Sequence, residues 1–547
     1  MARFGNSEST APGEQRRALP NLAMRPSLAC SRHFTRGSLV RLLRRTALVA
    51  TLLLVCSAHI GSPDVWFDGL AGPYKVLVHV QAPPVVPGIA TINVRVDGSG
   101  VTRVAAFVNR FDATGGTPPP DVATPVPGDP PWYRTRLWVM TAGSNSVTVT
   151  VSGTGGEGSV VVPLVAHAAR RLEFNGALAI PLAAVGVFLA LGLFTIVGAT
   201  VREGMLPPGE EPDAQRQRRA RLAMARAVIV VALAIAGLAV WWRAEDAAFV
   251  RRLYRPMPLT ASIDSSTGQP RLRLAITDSA WINRNDVAWR RARRVAEPSA
   301  LIEDHGKLVH LFLISADGSS AFAHLHPATD DTVTFTSSLP DIPAGSYSVF
   351  ADIVHASGLT QTLTSAITVP QRTGAPRDVQ LGPDDSWAVG RAATKSAAGD
   401  TARSVLEDGT VLTWARGTRA LIAGEEAGLR FATVPPAGDT AALEPFLGMA
   451  GHAVVVRNDG KVFIHLHPLG TISLAAQARL AQSSPGAMSH AMDVSHAGTD
   501  SLYFPYAFPE PGSYTVWVQV KRHGRVMTGS FPVEVRGAES SLASRDR

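Results

Sequence analysis

Hydrophobic residues follow two patterns along the chain: long apolar runs, and short runs in which apolar and polar positions alternate. Residues 176–201 hold 26 positions without a charge, and 227–242 hold 16 more. At about 1.5 Å per residue the first run can cross a bilayer, and the second can cross it if the flanking arginines reach back to the interface. We predict transmembrane helices at 175–201 and 227–242. A buried core helix is the alternative for 176–201, but that run has no polar face.

A third apolar run, at 46–58, follows a basic stretch and ends in small residues. This is the pattern of a secretory signal, so we interpret 1–58 as a basic leader and signal or anchor segment, with Ala58 as a cleavage position and Met24 as an alternative start. Export would place 59–174 and the C-terminal half in the periplasm or outside. The arginine-rich loop 202–226 would then be cytoplasmic, as expected for a protein of a bacterial inner membrane.

Alternating runs separated by proline and glycine fill the remaining segments, for example YKVLVHV at 74–80 and SVTVTV at 146–151. They predict a β-sandwich at 59–174. The C-terminal half repeats itself, since HLFLISADGSSAFAHLHP (310–327) aligns with HAVVVRNDGKVFIHLHP (452–468). Two His-rich sandwiches are therefore expected at 257–371 and 378–536. The predicted fold class is mainly β, with three immunoglobulin-like β-sandwich domains plus transmembrane helices.

Composition narrows the classes of partner. With 46% hydrophobic residues the chain is too apolar for a disordered protein. The net charge of +8 comes largely from arginines in the leader and beside the apolar runs, which favours a lipid bilayer as partner and no nucleic acid. The two cysteines, Cys30 and Cys56, both precede the first sandwich, so no thiolate metal site is expected in the domains.

Histidines are concentrated in the repeats: 11 of 15 lie between His305 and His523. If Asp459 and Gly460 form a type I′ turn, residues paired across the hairpin sum to 919. His452 then lies opposite His467, and His465 shares their face because alternate residues of a strand point the same way. Three imidazoles are expected on one face of the second repeat.

The first repeat has one more residue between the corresponding histidines. A slip of one residue would move His310 to the opposite face. A three-residue loop at 317–319, with Gly318 in a left-handed conformation, absorbs the extra residue. His310, His324 and His326 then form the equivalent cluster.

Neutral imidazole is a common ligand of Cu²⁺ and Zn²⁺. Near the second cluster the sequence adds thioethers and further imidazoles, whose softness favours copper, especially Cu(I), with zinc as the alternative. These additional candidate ligands are Met449, Met488, His490, Met492 and His496. The first repeat adds Asp304, His305 and His355 but no nearby methionine. We therefore expect tighter copper binding in the second repeat.

Other motifs favour binding over catalysis. The sequence contains no HExxH, GxSxG or P-loop, so we predict that the protein is not an enzyme. The functional prediction is a membrane-anchored protein that binds or passes copper, with another envelope or copper-handling membrane protein as a partner. The alternative is an interaction or assembly module that docks a membrane partner such as an oxidase or transporter, with histidines that only stabilise strand ends.

The strings DHGKLVHLFL (304–313), FAHLHP (322–327), PFLGMAGHAVVV (445–456) and FIHLHP (463–468) resemble bacterial YtkA-like envelope proteins. The resemblance covers the repeats, about half of the chain, and implies immunoglobulin-like domains in copper-handling contexts. Residues 73–201 bear a fainter likeness to FixH-like or copper-resistance periplasmic domains, whose methionine and histidine clusters they lack.

Overall fold

The computed structural model describes residues 59–60, 64–111, 117–127, 132–169, 171, 175–265, 269–371, 379–390, 394–395, 401–416, 420–482 and 500–537. The predicted leader 1–58 lies outside the described residues. Met488, His490, Met492 and His496 lie outside them as well.

The first part of the chain forms a two-sheet sandwich. Its strands, with a short first strand that joins another sheet, are β1 (His59–Ile60), β2 (Asp64–Ala71), β3 (Tyr74–Gln81), β4 (Gly88–Asp97), β5 (Val101–Arg110), β6 (Asp121–Val122), β7 (Thr124–Val126), β8 (Trp132–Val139), β9 (Gly143–Gly153) and β10 (Gly156–Ala166). The sheets have the orders β2-β3-β4-β8-β7 and β10-β9-β5-β6. Alternate residues such as Val78, Val94, Val149 and Val162 fill the space between them. The alternation in the sequence thus predicts the buried face correctly.

Two long helices follow, α1 (Gly176–Glu203) and α2 (Ala214–Arg252). Both are long and apolar enough to cross a membrane. Apolar side chains on their surface are open, such as Phe188 at 74% and Trp242 at 66% exposure. The connection between them is only 204–213, shorter than the loop predicted at 202–226. The arginines from 216 onward instead lie in the first turns of α2, which Asp213 caps by accepting a hydrogen bond from the Arg216 amide.

The first repeat also consists of two sheets. Its elements are β11 (Leu259–Asp264), β12 (Arg271–Ile276), α3 (Ser279–Ile282), α4 (Val287–Arg293), β13 (Leu301–Ile302), β14 (His310–Ser315), β15 (Ala321–Leu325), β16 (Thr334–Ser338), β17 (Gly345–His355) and β18 (Thr360–Val369). A small sheet β11-β12-β16 faces the sheet β13-β17-β14-β15, in which β18 also pairs with β17. The core between them includes Leu274, Leu313 and Val349.

The second repeat has the same plan. Its elements are β19 (Ser386–Val389), β20 (Thr394–Lys395), β21 (Thr401–Val405), β22 (Val411–Ala415), β23 (Leu421–Ile422), β24 (Leu429–Val434), β25 (His452–Arg457), β26 (Val462–Leu466), α5 (Leu474–Gln482), β27 (Ser501–Phe504), β28 (Gly512–Arg522) and β29 (Arg525–Arg536). The sheet β20-β21-β22-β24-β27 faces β1-β26-β25-β28-β29-β23.

Two strands cross the domain boundaries expected from the sequence. β19 pairs with β15, so residues that follow position 378 complete the sheet of the first repeat. β1 pairs in parallel with β26, so a segment that precedes the first sandwich extends the sheet of the second repeat. At the coarse level the fold class is confirmed, because the described chain is mainly β and carries two apolar helices.

Candidate metal centre

The hairpin of the second repeat has the register that its sequence predicts, although its turn is not type I′, because Gly460 has a positive φ and Asp459 does not. Val454 lies opposite His465 and Val456 opposite Phe463, so partners sum to 919. The alternate positions Val455, Ile464 and Leu466 face the core of the repeat. His452, His465 and His467 therefore share the outer face of the sheet, as expected.

The hairpin of the first repeat is confirmed in the same way. Phe312 lies opposite His324 and Ile314 opposite Phe322, a register that places His310 and His326 on the same face as His324. The loop contains Gly318 with φ of +72°. A side chain there would be strained, and an added Cβ would lie 2.7 Å from the Cα of Asn458 in the other hairpin.

That contact indicates how the two repeats are arranged: the outer faces of the two hairpins pack against each other. Phe350 stacks on Phe463 with ring centroids 4.1 Å apart, and Phe322 stacks on Trp517 at 5.1 Å. Trp517 is fully buried and its indole N–H donates to the Gly318 carbonyl at 3.3 Å. The two histidine faces consequently meet at one end of this apolar interface.

The sequence predicts one cluster in each repeat, whereas the structure joins both into one. We call it the histidine cluster. Its members are His305, His310, His324, His326, His452, His465 and His467. Centroids of neighbouring rings lie 4.5 Å (His465 to His467) to 6.5 Å (His324 to His452) apart. The cluster is closed to solvent, with His324 and His452 at 0% exposure.

Two groups within the cluster have the geometry to hold a metal ion. In each, one ligand atom per residue lies within 4.8 Å of the others. The first-repeat triad is His310, His324 and His326. The shared triad is His305 from the first repeat with His452 and His467 from the second. His465 lies next to His452 and His467, as predicted, with its ring centroid 5.3 Å and 4.5 Å from theirs, and it also lies 5.4 Å from His310.

Each member of the first-repeat triad has an acceptor at one ring nitrogen. The Nε2 of His310 lies 3.1 Å from the Asp304 carbonyl. The Nδ1 of His324 lies 2.9 Å from Gln519 Oε1, and the Nδ1 of His326 lies 2.9 Å from Asp385 Oδ1. A neutral imidazole has one N–H, and these acceptors assign it to those nitrogens.

The assignment leaves the opposite nitrogen of each ring as a bare lone pair. His310 Nδ1 and His324 Nε2 lie 3.2 Å apart, and they form a hydrogen bond to each other when His324 takes its other tautomer. His326 Nε2 is buried and has no hydrogen-bond partner among the described residues. Ligating histidines in metal proteins are oriented in this way, with the second N–H given to a carbonyl or carboxylate.

The shared triad and His465 carry most of the other unpaired nitrogens. Within the described part of the chain, the buried ring nitrogens of the cluster without a hydrogen-bond partner are His305 Nε2, His326 Nε2, His452 Nδ1, His452 Nε2, His465 Nε2 and His467 Nε2. A buried polar atom left unpaired costs about 1–3 kcal/mol. Six of them would cost about 6–18 kcal/mol, as much as the about 5–15 kcal/mol by which a whole domain is stable. A ligand that accepts lone pairs would remove much of that cost.

Burial also keeps the rings neutral. It lowers the pKa of His310 to about 4, of His326 to about 2 and of His467 to about 3. The pKa values of His324, His452 and His465 are likewise lowered well below the usual value of a histidine, first by burial and then by the neighbouring imidazoles. Only the neutral ring offers a lone pair, so these histidines are ready to ligate at neutral pH.

His305 comes from a tight turn that the two repeats share. In the first repeat Asp304 and Lys307 pair across His305 and Gly306, whose φ values are +55° and +76°. The same turn in the second repeat has Leu447 and Gly448 at +51° and +79°. The cluster is therefore asymmetric, because Leu447 occupies the position that corresponds to His305. The Asp-His-Gly string before His310 is the sequence signal for this ligand.

The remaining candidates have different surroundings. Met449 is buried and pairs through its backbone with Phe446, whose ring lies 4.8 Å from that of His452. His355 lies apart and donates its Nδ1–H to the Ser299 carbonyl at 2.8 Å. The roles of Met488, His490, Met492 and His496 stay predictions.

A third possible metal group, Asp408, Asp439 and His523, is organised by an arginine. The guanidinium of Arg522 pairs with Asp408 at 2.7 Å and with Asp439 at 2.9 Å. Because this buried cation already balances both carboxylates, the group is complete as an ion-pair network.

One segment connects the histidine cluster to the first sandwich. We call residues 467–482 the docking segment. His467 donates its Nδ1–H to the Ile472 carbonyl at 2.9 Å, and the Ile472 side chain lies in the core of the first sandwich. The Thr471 amide donates to the Trp66 carbonyl at 3.0 Å. Further along, the Ala475 amide donates to Asp304 Oδ1 at 3.0 Å, next to His305.

Gly470 is required for this docking. It has φ of +119°, and an added Cβ would lie 2.0 Å from the Trp66 carbonyl oxygen. The backbone of the docking segment therefore lies directly against β2, at a distance that only glycine permits.

Similarity to a known protein family lies in the second repeat. One family profile, described as a Domain of unknown function (DUF8832), matches residues 403–537, which include three of the cluster histidines. No curated protein matches the chain.

The similarity to two solved structures is remote. Dimeric latent PorU from Porphyromonas gingivalis is 8% identical with a TM-score of 0.14, and the match covers 86% of this chain and 34% of PorU. A membrane-anchored protein from Corynebacterium diphtheriae is 10% identical with a TM-score of 0.12, covering 86% and 96% of the two chains. The chain thus spans about a third of the length of PorU. TM-scores this low do not establish a shared fold.

Proposed function

We propose that this is a membrane-anchored metal-binding protein of the bacterial cell envelope, and that its histidine cluster holds copper, with zinc as the alternative ion. The observation that carries the proposal is the first-repeat triad. Each of its rings has a fixed acceptor at one nitrogen, and one nitrogen of each buried ring lies within 4.8 Å of those of the other two. His310, His324 and His326 are the proposed ligands.

The donor atoms decide the class of metal. Imidazole nitrogen suits copper and zinc and is a poor ligand for calcium or magnesium. Among divalent ions, Cu²⁺ binds nitrogen sites more tightly than Zn²⁺. Copper is therefore the first candidate, in line with the resemblance of the repeats to YtkA-like proteins.

The surroundings of the cluster favour retention over rapid exchange. The ligands lie between two packed repeats, and His310 is only 3% exposed. Release of an ion would require the repeats to separate or the docking segment to move. Helices α1 and α2 would hold the protein in the inner membrane with its sandwiches in the periplasm, and a membrane partner would receive or supply the ion.

Metal retention by the purified full-length protein in detergent tests the proposal. The metal-free protein is incubated with Cu²⁺ or Zn²⁺, desalted, and analysed for metal per chain. We expect the wild type to retain metal and the double variant H310A/H324A to lose the ion of the first-repeat triad. His79→Ala is the matched control, because His79 is also a buried histidine but binds Asp64 in the first sandwich.

Thermal unfolding separates this function from a structural role. If the histidines only hold the repeats together while the protein docks a membrane partner, H310A/H324A lowers the melting temperature equally with and without metal. Retention of no metal by the wild type, together with such equal shifts, would refute metal binding and favour the docking function.

A further inference from the structure

The shared triad lies beside the first-repeat triad but has its own ligand atoms. Ring centroids of His305, His452 and His467 are 5.1–5.7 Å apart. Between the triads, His305 lies 6.0 Å from His310 and His324 lies 6.5 Å from His452. The ligand atoms of the six rings fall into two separate groups, each within 4.8 Å among its own members. Six donors about 2 Å from a single ion would all lie within about 4 Å of one another, so the two triads do not form one site.

The shared triad is built of buried nitrogens that the fold leaves unpaired. Among the described residues, His305 Nε2, His467 Nε2 and both ring nitrogens of His452 have no hydrogen-bond partner. The Nδ1–H of His467 is given to the Ile472 carbonyl, which directs its Nε2 lone pair away from the docking segment. This is the arrangement that orients a ligating histidine.

A further imidazole nitrogen and three carboxylates lie around the two triads. His465 Nε2 is also unpaired, and its ring lies 4.5 Å from that of His467. Asp304 Oδ1 lies 3.7 Å from His305 Nε2, Asp352 Oδ2 lies 3.5 Å from His465 Nδ1, and Asp385 contacts His326. Asp304 and Asp385 can offset about half of the charge of two divalent ions, whose mutual repulsion would otherwise be strong in a buried volume. Burial raises the pKa of Asp352 to about 7, so this third carboxyl adds its charge when a nearby cation ionises it.

We propose that the histidine cluster is a two-ion centre: a second transition-metal ion binds the shared triad and links the two repeats. This rests on the proposed function. The first ion binds ligands from one repeat only, whereas the second takes His305 from the first repeat and His452 and His467 from the second. Occupation of the shared triad therefore cross-links the repeats, and occupation of the first-repeat triad does not.

Metal counting on the full-length protein in detergent tests the two-ion centre. Cu²⁺ alone is the probe, added stepwise to metal-free protein and quantified after desalting. We expect two ions per wild-type chain, one ion in H452A, one ion in H326A, and two in the exposed control H523A. His326→Asn, which keeps a polar group beside Asp385, should also retain one ion and guards against a folding defect.

Electron paramagnetic resonance provides a second measurement. Two Cu²⁺ ions in adjacent triads couple magnetically, so the wild type should give a broadened signal of reduced intensity. The H452A and H326A variants should give the signal of an isolated ion at full intensity.

The number of ions retained by each variant distinguishes failure of the two-ion centre from failure of metal binding itself. One ion per wild-type chain that is lost in H326A but kept in H452A would overturn the two-ion centre and leave metal binding intact. Two ions in H452A, with an uncoupled signal, would place the second ion elsewhere and also overturn it. Retention of no ion by the wild type would refute metal binding itself.

Discussion

At the scale of single residues, the hydrogen bonds made by each ring matter more than the number of histidines. A histidine ligates through one nitrogen, and what the other nitrogen contacts fixes its tautomer and orientation. His326 illustrates this, because Asp385 accepts from its Nδ1–H at 2.9 Å and leaves Nε2 free. The sequence predicts the histidines of both hairpins, but it does not identify Asp385, which lies 59 positions later.

We therefore predict that Asp385→Asn weakens metal binding at the first-repeat triad about 10–100-fold, the usual effect of removing a carboxylate that orients a ligand. Asp384→Asn is the matched control, since Asp384 pairs with Lys307 and Lys521 and makes no hydrogen bond to a cluster histidine. Competition with a chelator of known affinity measures both. Equal affinities for the two variants would contradict an orienting role for Asp385.

At the scale of elements, the sequence predicts the two histidine hairpins but does not predict that they pack against each other. The turn residues fix the register, and the register fixes which residues share a face. The composition of the strands does indicate that their outer face is covered. β14 and β15 are apolar on both faces, with Leu311 and Leu313 inward and Phe312 and Ile314 outward. A strand that is apolar on both faces is covered on both faces, which indicates that the histidine face is buried under another sheet.

The docking segment gives a prediction at the same scale. Ile472→Ala would remove a side chain from the core of the first sandwich and should cost about 2–5 kcal/mol of stability. Because the Asp68 amide donates to the Leu469 carbonyl, loosening of the segment should speed hydrogen exchange at Asp68. Ile464→Ala, which removes the same side chain from the core of the second repeat, is the control. Unchanged exchange at Asp68 in Ile472→Ala would contradict this account.

For the molecule as a whole, the sequence predicts the general organisation: sandwiches on either side of two apolar helices, with a repeated C-terminal half. The sequence does not predict that β1 and β19 join the sheets of other domains. A strand as short as β1, with two residues, has too few positions to show an alternation of apolar and polar side chains. The compartment, the copper assignment and the resemblance to YtkA-like proteins stay predictions.

Stability of the metal-free protein should fall as the pH falls through the range between 6.5 and 4. Histidines of the unfolded chain bind protons below about 6.5, whereas burial holds the pKa of His310 at about 4 and that of His467 at about 3. The unfolded state then binds more protons, so each such histidine costs about 1.4 kcal/mol per pH unit. Melting curves followed by tryptophan fluorescence at pH 7, 6 and 5 measure the effect. A melting temperature that stays constant over this range would show that the cluster is not buried in solution.

The position of the docking segment also delays the completion of the first sandwich during synthesis. The Trp66 amide donates to the Thr471 hydroxyl at 3.0 Å across 405 positions of sequence. The first sandwich is synthesised early, yet its core lacks Ile472 until most of the chain has been made. Contacts this distant in sequence close slowly. The first domain to emerge therefore stays incomplete until residue 472 has been made, and until then it presents an open apolar gap to which chaperones or a partner protein can bind.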